Sequence, residues 1–294
     1  MKFEVSHRTT YSYRQPVAQS YHLVHLKPRQ LPQQSVLHHS LLIDPAPVRR
    51  SEIIDTFGNA AVLLRIEDEH TEFIVHARST VEIAPPLPTD LSKTAAWEAI
   101  ASLGSHPAGM GGDLDPAVLQ FTCPSRHAPV SGEIRAFARL SFPPRRPVLA
   151  GAMDMTARIV AEFKFDPTAT DVSTPIERVL QLKRGVCQDF AHLSLAALRS
   201  LGIPARYVSG YLLTRPPPGQ PKLKGSDASH AWVSVWAPET GWVDFDPTNG
   251  IIPVGEHITV AYGRDYEDIS PVSGVLLGGS DQTMTVAVDV ELVE

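Results

Sequence analysis

Apolar and polar positions alternate in short runs over residues 1–84, which is the pattern of half-buried β-strands. Turn-forming residues separate these runs, among them Pro28, Pro45 and the pair Gly58-Asn59. Short strands at regular spacing predict an antiparallel, β-sandwich-like region or a small barrel. The predicted strands are Lys2–Tyr13, Ala18–His25, Ser35–Ile43, Ala60–Ile66 and Glu72–Ile83.

From Pro85 onwards the spacing of apolar residues becomes helical. A proline-rich stretch leads into a predicted helix, with Thr89 or Asp90 as its N-cap. Residues 132–142 and 148–163 carry helical spacing as well. The middle of the chain is therefore predicted to be helical.

The second half of the chain mixes helices with strands. A short helix is predicted over Thr174–Leu182, with Pro175 at its first position, and a longer one over Cys187–Leu201, which Gly202 and Pro204 terminate. A polar loop, Arg215–Ser229, interrupts the predicted strands. These strands are Ala205–Leu213, Ala231–Trp236, Trp242–Phe245 and the strictly alternating segment 283–293.

Composition and charge exclude several classes of protein. The chain has 294 residues, 43% of them hydrophobic, and a net charge of −6, so it lacks the basic field that nucleic acid binding needs. We find no apolar stretch of about 18 residues for a membrane span and no signal peptide behind Lys2. The two cysteines, Cys123 and Cys187, suit a reducing compartment, and we predict a cytoplasmic location.

Cys187 is the first candidate for chemistry, because it follows Gly185 at the predicted start of a helix. The positive end of the helix dipole and the free N–H groups of the first turn favour a thiolate there. The same N–H groups can donate to a developing oxyanion. A cysteine in this position is a candidate nucleophile.

His230 and an aspartate complete a possible triad. His230 opens a predicted strand directly after the polar loop, which places it at the edge of a cleft. Asp246 lies sixteen residues later, just before Pro247, at the end of an antiparallel return strand. Asp244 points to the same side of that strand, so spacing does not decide between the two aspartates. Together the residues suggest thiolate, imidazole and orienting carboxylate.

Motifs for metal and nucleotide chemistry are absent from the sequence. We find no HExxH, no paired CxxC and no phosphate-binding loop, and we predict no cofactor and no metal. A metal site of Cys187, His192 and His230 is a weaker alternative, because Cys187 and His192 are five residues apart on one helix and do not share a face.

The segments RGVCQDFAHLSLAAL, DASHAWVSVW and GWVDFDPTNG resemble the bacterial form of the transglutaminase-like core. They carry the family's Gly-x-Cys helix start, His-Ala-Trp strand and Asp-Pro-Thr strand end, in that order. MKFEVSHRTTYSY, DTFGN and GRDYEDISPVSGV are similar to the regions that flank this core in bacterial members. The resemblance covers nearly the whole chain.

The resemblance implies a role for each motif residue. Cys187 would be the nucleophile, His230 the general base and acid, and Asp246, the aspartate before Pro-Thr, the orienting carboxylate. The implied fold is α+β, with an all-β region over residues 1–85, a helical connector over 86–150 and a papain-like catalytic core with a C-terminal strand over 151–294. In that core, the helix that bears the cysteine packs on an antiparallel sheet.

We therefore predict a cysteine peptidase or amidase that hydrolyses a peptide or isopeptide amide bond through a thioester. Two alternatives stay open. The acceptor could be an amine, which would make the protein a protein-glutamine gamma-glutamyltransferase, or the protein could be a binding module that keeps the fold without catalysis. The predicted partner is a peptide or protein amide substrate. The polar loop would flank the cleft, and we expect its Lys222 and Lys224 to be solvated, with contact to an acidic substrate as the alternative. The oligomeric state is not predicted.

Overall fold

The computed structural model of the chain describes residues 1–104, 114–214, 225, 227 and 229–293. They form a curled antiparallel sheet of six strands, an antiparallel sheet of four strands, a short two-stranded ladder and a set of helices, which confirms the predicted α+β class. The strands are β1 (Lys2–Val24), β2 (Gln34–Asp44), β3 (Arg49–Ile54), β4 (Ala60–Ile66), β5 (His70–Ile83), β6 (Lys164–Phe165), β7 (Arg184–Gly185), β8 (Ala205–Leu212), β9 (Ser229–Ala237), β10 (Gly241–Phe245), β11 (His257–Gly263) and β12 (Val272–Leu292). The α-helices are α1 (Trp97–Leu103), α2 (Pro116–Leu119), α3 (Gly132–Ser141), α4 (Val148–Glu162), α5 (Ile176–Leu182) and α6 (Cys187–Ser200).

The large sheet has the order β2-β5-β1-β4-β3, and β12 also pairs with β1. Strand β1 is continuous, whereas two strands were predicted with a break near Pro16. Its pairing with β5 shifts register between Ser12 and Val17, and this irregularity accommodates the proline without ending the strand. The sheet also contains β3, which was not predicted.

Strand β12 begins at Val272, eleven residues before the predicted segment 283–293. It pairs antiparallel with β1 from Phe3 opposite Leu292 to Val24 opposite Val272. The predicted division assigns this strand to the core region over residues 151–294, and its hydrogen bonds pair it with β1 of the N-terminal region. The two ends of the chain therefore build one sheet.

The four-stranded sheet has the order β10-β9-β8-β11, and every pair in it is antiparallel. Helix α6 packs against β8 and β9, and its residues 189–200 are all buried. The hydrophobic cluster around α6 also includes Phe3, Val5, Val288 and Val290 from the large sheet. The N-terminal region and the sheet beside α6 thus share one core.

Several element boundaries differ slightly from the predictions. Asp90 is an N-cap as predicted, but it caps the 3-10 helix Leu91–Lys93, and α1 begins only at Trp97. Pro175 is the N-cap of α5 and not its first residue. Proline suits either place because no helical N–H is needed there.

In the predicted polar loop Arg215–Ser229 the structure describes residues 225, 227 and 229, and the predicted positions of Lys222 and Lys224 lie outside the described residues. No helix in the described part of the chain is long and apolar enough to cross a membrane.

Candidate active site

Cys187 is the first residue of α6, and its side chain is half-buried. The chain just before it is held by Asp189, whose Oδ2 accepts hydrogen bonds from the Val186 backbone N–H at 2.8 Å and from the Thr170 hydroxyl at 2.7 Å. A Cβ at position 185 would lie 2.5 Å from Asp189 Oδ2, so Gly185 leaves room for this contact. Burial raises the pKa of Asp189. The helix start that carries the thiol is therefore rigidly defined.

His230 is the second residue of β9 and lies between Asp246 and Cys187. Its Nε2 is 2.8 Å from Asp246 Oδ2, and Cys187 is close enough to help raise the pKa of the imidazole. Because Nε2 is taken by the carboxylate, Nδ1 is the ring nitrogen left for the thiol. The imidazole is 8% exposed, so water has little access to the hydrogen bond with Asp246.

Asp246 is fully buried and accepts hydrogen bonds at both carboxylate oxygens. Its Oδ1 accepts from the backbone N–H groups of Thr248 at 2.9 Å and Asn249 at 3.1 Å, and its Oδ2 accepts from Asn249 Nδ2 at 2.7 Å. This turn begins where β10 stops, just before Pro247, which cannot donate a ladder hydrogen bond. The turn presents the carboxylate to His230 in one orientation.

The structure distinguishes the two aspartates that spacing could not separate. Asp244 Oδ2 accepts a hydrogen bond from Trp232 Nε1 at 2.9 Å, whereas Asp246 contacts His230. The three residues that we predicted as a triad, Cys187, His230 and Asp246, are brought together.

A residue that the sequence analysis did not single out, His257, joins this group. It is the first residue of β11, and its Nε2 lies 2.9 Å from the same Asp246 Oδ2 that contacts His230. Its side chain is buried, and the edge of its ring meets the Trp232 indole with centroids 5.1 Å apart. A histidine that opens a strand shortly after the Asp-Pro-Thr segment was the available signal, and His230 lies similarly close to the start of its strand.

His230 and Asp246 shift each other's pKa values. Burial would lower the pKa of His230, but hydrogen bonds with Asp246 and Cys187 and their negative charges raise it from 6.5 to about 10. Burial would raise the pKa of Asp246, but hydrogen bonds from His230, His257 and Asn249 hold it well below its usual range. The site therefore keeps an imidazolium beside a carboxylate at neutral pH.

The residues of the predicted metal alternative are not assembled. His192 Nε2 accepts a hydrogen bond from the Tyr266 backbone N–H at 3.2 Å, and its ring stacks on His127. Within the described ranges, the group whose ligand atoms lie close enough to hold a metal is His230, Asp246 and His257, with all of these atoms within 4.8 Å of one another. That group contains neither Cys187 nor His192.

Comparison with known families gives two matches along the chain. Residues 3–82 match the bacterial transglutaminase-like N-terminal region, and residues 142–247 match the transglutaminase-like superfamily. The second match includes Cys187, His230 and Asp246.

Individual relatives extend the comparison to the whole chain. An uncharacterized protein of Mycobacterium tuberculosis is 37% identical over 297 residues, which span 98% of this chain and 92% of that protein. A protein-glutamine gamma-glutamyltransferase of Pseudomonas aeruginosa is 32% identical over 107 residues, 34% of this chain and 16% of that enzyme. The crystal structure of a candidate cysteine protease from Cytophaga hutchinsonii superposes with a TM-score of 0.74 at 23% identity, covering 99% of this chain and 90% of that one. This structural likeness supports the fold.

Proposed function

This chain belongs to the transglutaminase-like superfamily, and we propose that it is a cysteine-dependent acyl-transfer enzyme that forms a thioester on Cys187 and hydrolyses it. The observation that carries the proposal is the position of His230, which is hydrogen-bonded to Asp246 and has a pKa that both Asp246 and Cys187 raise. The substrate class is a peptide or protein amide. Two free thiols fit our prediction of a reducing, cytoplasmic location.

The first half-reaction breaks the amide bond. The Cys187 thiolate attacks the carbonyl carbon, and the negative charge that forms on the oxygen is stabilised by backbone N–H groups of the first turn of α6, which have no intrahelical acceptor. The C–N bond then breaks while the His230 imidazolium gives its proton to the leaving amine. The amine departs and the acyl group stays on Cys187 as a thioester.

The second half-reaction releases the acyl group. Neutral His230 takes a proton from the incoming water, the oxygen attacks the thioester carbonyl, and the C–S bond breaks to give a carboxylic acid. The thiolate and the imidazolium are restored, so no proton is lost over the cycle. We place water as the acceptor because Cys187 is half-exposed and water needs no binding site of its own.

The match to the Pseudomonas aeruginosa gamma-glutamyltransferase favours a second candidate function, transfer of the acyl group to a primary amine. The first half-reaction would be the same, with glutamine as the acyl donor and ammonia as the leaving group. In the second half-reaction the amine would replace water and form a new amide bond. The acceptor is therefore the point that separates the two activities.

Alkylation of Cys187 tests whether the nucleophile is active. The rate of carbamidomethylation is measured at pH 6 by peptide mapping, with the exposed Cys123 as an internal reference, in the wild type and in His230→Ala. An ordinary thiol titrates near pH 8.5 and reacts slowly at pH 6. We expect Cys187 to react at least about tenfold faster than Cys123, and to lose this advantage in His230→Ala. Equal rates for both cysteines in the wild type would contradict the proposal.

A second assay identifies the acceptor. Dimethylated casein is incubated with the wild type or with Cys187→Ala, with and without a fluorescent primary amine, and the products are analysed by mass spectrometry. Cleaved peptide bonds or glutamines converted to glutamate indicate hydrolysis, whereas incorporated amine indicates transfer. The non-catalytic binding module would be favoured if Cys187 is alkylated rapidly but no substrate is modified, and if cells that carry Cys187→Ala behave like wild-type cells.

A further inference from the structure

His257 shares an acceptor atom with His230, and no step of the mechanism above uses it. Its Nε2 lies 2.9 Å from Asp246 Oδ2, while His230 Nε2 lies 2.8 Å from the same oxygen. The acceptor is an ionised carboxylate, so both histidines must present an Nε2–H to it. His257 Nδ1 is buried without a hydrogen-bond partner in the described part of the chain. A buried imidazole with one unsatisfied nitrogen has a cost in stability, which suggests a role in function.

The other donors to Asp246 all come from its own turn. Thr248 and Asn249 lie two and three residues after Asp246 in the same turn and would move with it. Apart from His230 itself, His257 is the donor from another strand among the described residues. It therefore fixes the carboxylate relative to the rest of the sheet.

Strand β11, which carries His257, is itself held by the N-terminal region. The Gln34 side chain donates from Nε2 to the Thr259 carbonyl and accepts from the Thr259 N–H, each at 2.8 Å. Asn59 pairs in the same way with Tyr262, donating at 2.7 Å and accepting at 2.8 Å. Because β11 is an edge strand, these two side chains replace a neighbouring strand. Hydrogen bonds from the N-terminal region thus hold the strand whose first residue, His257, contacts Asp246.

We propose that His257 is a positioning residue for the acyl-transfer chemistry: it anchors Asp246 to β11 and thereby orients the His230 imidazolium toward Cys187. This inference rests on the proposed function, because it assigns His257 a role in the activation of Cys187. It also gives the N-terminal region a role in the site, since Gln34 and Asn59 hold the strand from which His257 acts.

The test compares His257→Leu with His257→Gln. Leucine removes the donor, whereas the glutamine amide can place an N–H at the position of the histidine Nε2. The rate of Cys187 carbamidomethylation is measured from pH 4 to pH 10 with Cys123 as reference, together with the melting temperature. His22→Leu is the control, because it removes an equally buried imidazole that bonds Ser20 and stacks on Phe73 in the large sheet.

We expect His257→Leu to move the acid limb of the Cys187 profile upward by about one pH unit, which is about a tenfold loss of rate at pH 6. His257→Gln should restore most of that rate, and His22→Leu should leave the profile unchanged. A wild-type profile in His257→Leu, even with a lower melting temperature, would show a structural role and overturn the proposal.

Three further outcomes are distinguishable. If His257→Gln reacts as slowly as His257→Leu, the hydrogen bond is not the relevant feature and the proposal fails. If the wild type itself shows no reaction of Cys187 at low pH, the proposed function fails and this inference fails with it. Zinc found by elemental analysis in the wild type and lost in His257→Leu would show that His230, Asp246 and His257 hold a metal, which would also overturn the proposal.

Discussion

Asp244 and Asp246 each reach across to the neighbouring strand and contact a residue on a diagonal. Asp244 lies opposite Ser234, yet its carboxylate accepts from Trp232, two residues before Ser234 on β9. Asp246 repeats this arrangement two residues later and contacts His230. The first carboxylate contacts an indole and the second an imidazole, so two identical side chains two residues apart have different partners.

Substitution of these two aspartates provides a matched pair. Asp246→Asn removes the charge that, with its hydrogen bond, raises the pKa of His230, and we expect Cys187 alkylation at pH 6 to fall by at least about tenfold. Asp244→Asn keeps an oxygen that can accept from Trp232 and should change the rate by less than about twofold. A similar loss of alkylation rate in both variants would indicate that the reactivity of Cys187 depends on the integrity of the sheet and not on the Asp246 carboxylate.

The residues of the candidate site could be predicted where the start or end of a helix or strand falls on a residue type that can take part in catalysis. Cys187 follows Gly185 at a helix start, His230 opens a strand, and Asp246 ends one before Pro247, so each has a recognisable place in the chain. The choice between Asp244 and Asp246 needed the family resemblance, because both point to the same side of the strand.

The missed features depend on contacts between distant parts of the chain. His257 matters because β11 brings it to Asp246. Its place at the start of a strand can be predicted from the sequence, but the residue that it contacts there cannot. Strand β12 was predicted too short because apolar and polar residues do not alternate strictly over 272–282. This segment is a strand because it pairs with β1. Tertiary pairing overrides local pattern in such segments.

Stability should depend on pH through the His230–Asp246 pair. His230 has a raised pKa in the folded chain, so its contribution is complete below pH 6.5 and is lost as the pH rises toward about 10. Asp246 has a lowered pKa, so its contribution is complete above the ordinary carboxylate range and is lost as the pH falls. The pair contributes most between about pH 4 and 6.5.

Urea unfolding of the wild type and His230→Gln at several pH values measures this dependence. The difference in unfolding free energy between the two proteins should shrink from pH 6.5 to pH 9.5, by at most about 1.4 kcal/mol per pH unit. A difference that stays constant over this range would mean that His230 is not charged in the folded protein.

Gly210 is on β8, which lies between β9 and β11, the strands that carry His230 and His257. A Cβ at this position would lie 2.1 Å from the Ile258 carbonyl oxygen and 2.6 Å from Trp232 Cη2. Those atoms belong to residues next to His257 and two after His230, so they cannot move without disturbing the site. We expect Gly210→Ala to lower the unfolding free energy by about 1–3 kcal/mol and to slow Cys187 alkylation at pH 6.

Gly132→Ala is the control for this substitution. No atom lies within 4 Å of a Cβ at Gly132, the first residue of α3, and alanine is the better helix former. Its stability should be unchanged or higher by up to about 1 kcal/mol. A Gly210→Ala protein as stable and as reactive as Gly132→Ala would show that the two strands can separate without cost.

Asp227 connects the segment before His230 to the C-terminal strand. Its backbone N–H donates to the Val288 carbonyl at 3.0 Å, and its Oδ2 accepts from the Val290 N–H at 2.8 Å.

Asp227→Ala keeps the backbone contact and removes the carboxylate. We expect this substitution to lower the unfolding free energy by about 1–3 kcal/mol. It should also slow Cys187 alkylation at pH 6 on the order of tenfold, because His230 follows three residues later and would be less well positioned. Asp281→Asn removes an exposed charge on β12 that pairs with Arg14 and keeps a side chain that tolerates the left-handed backbone there (φ 40°), so both measurements should stay at wild-type values. Loss of stability in Asp227→Ala with undiminished alkylation would mean that β12 supports the fold but does not position His230.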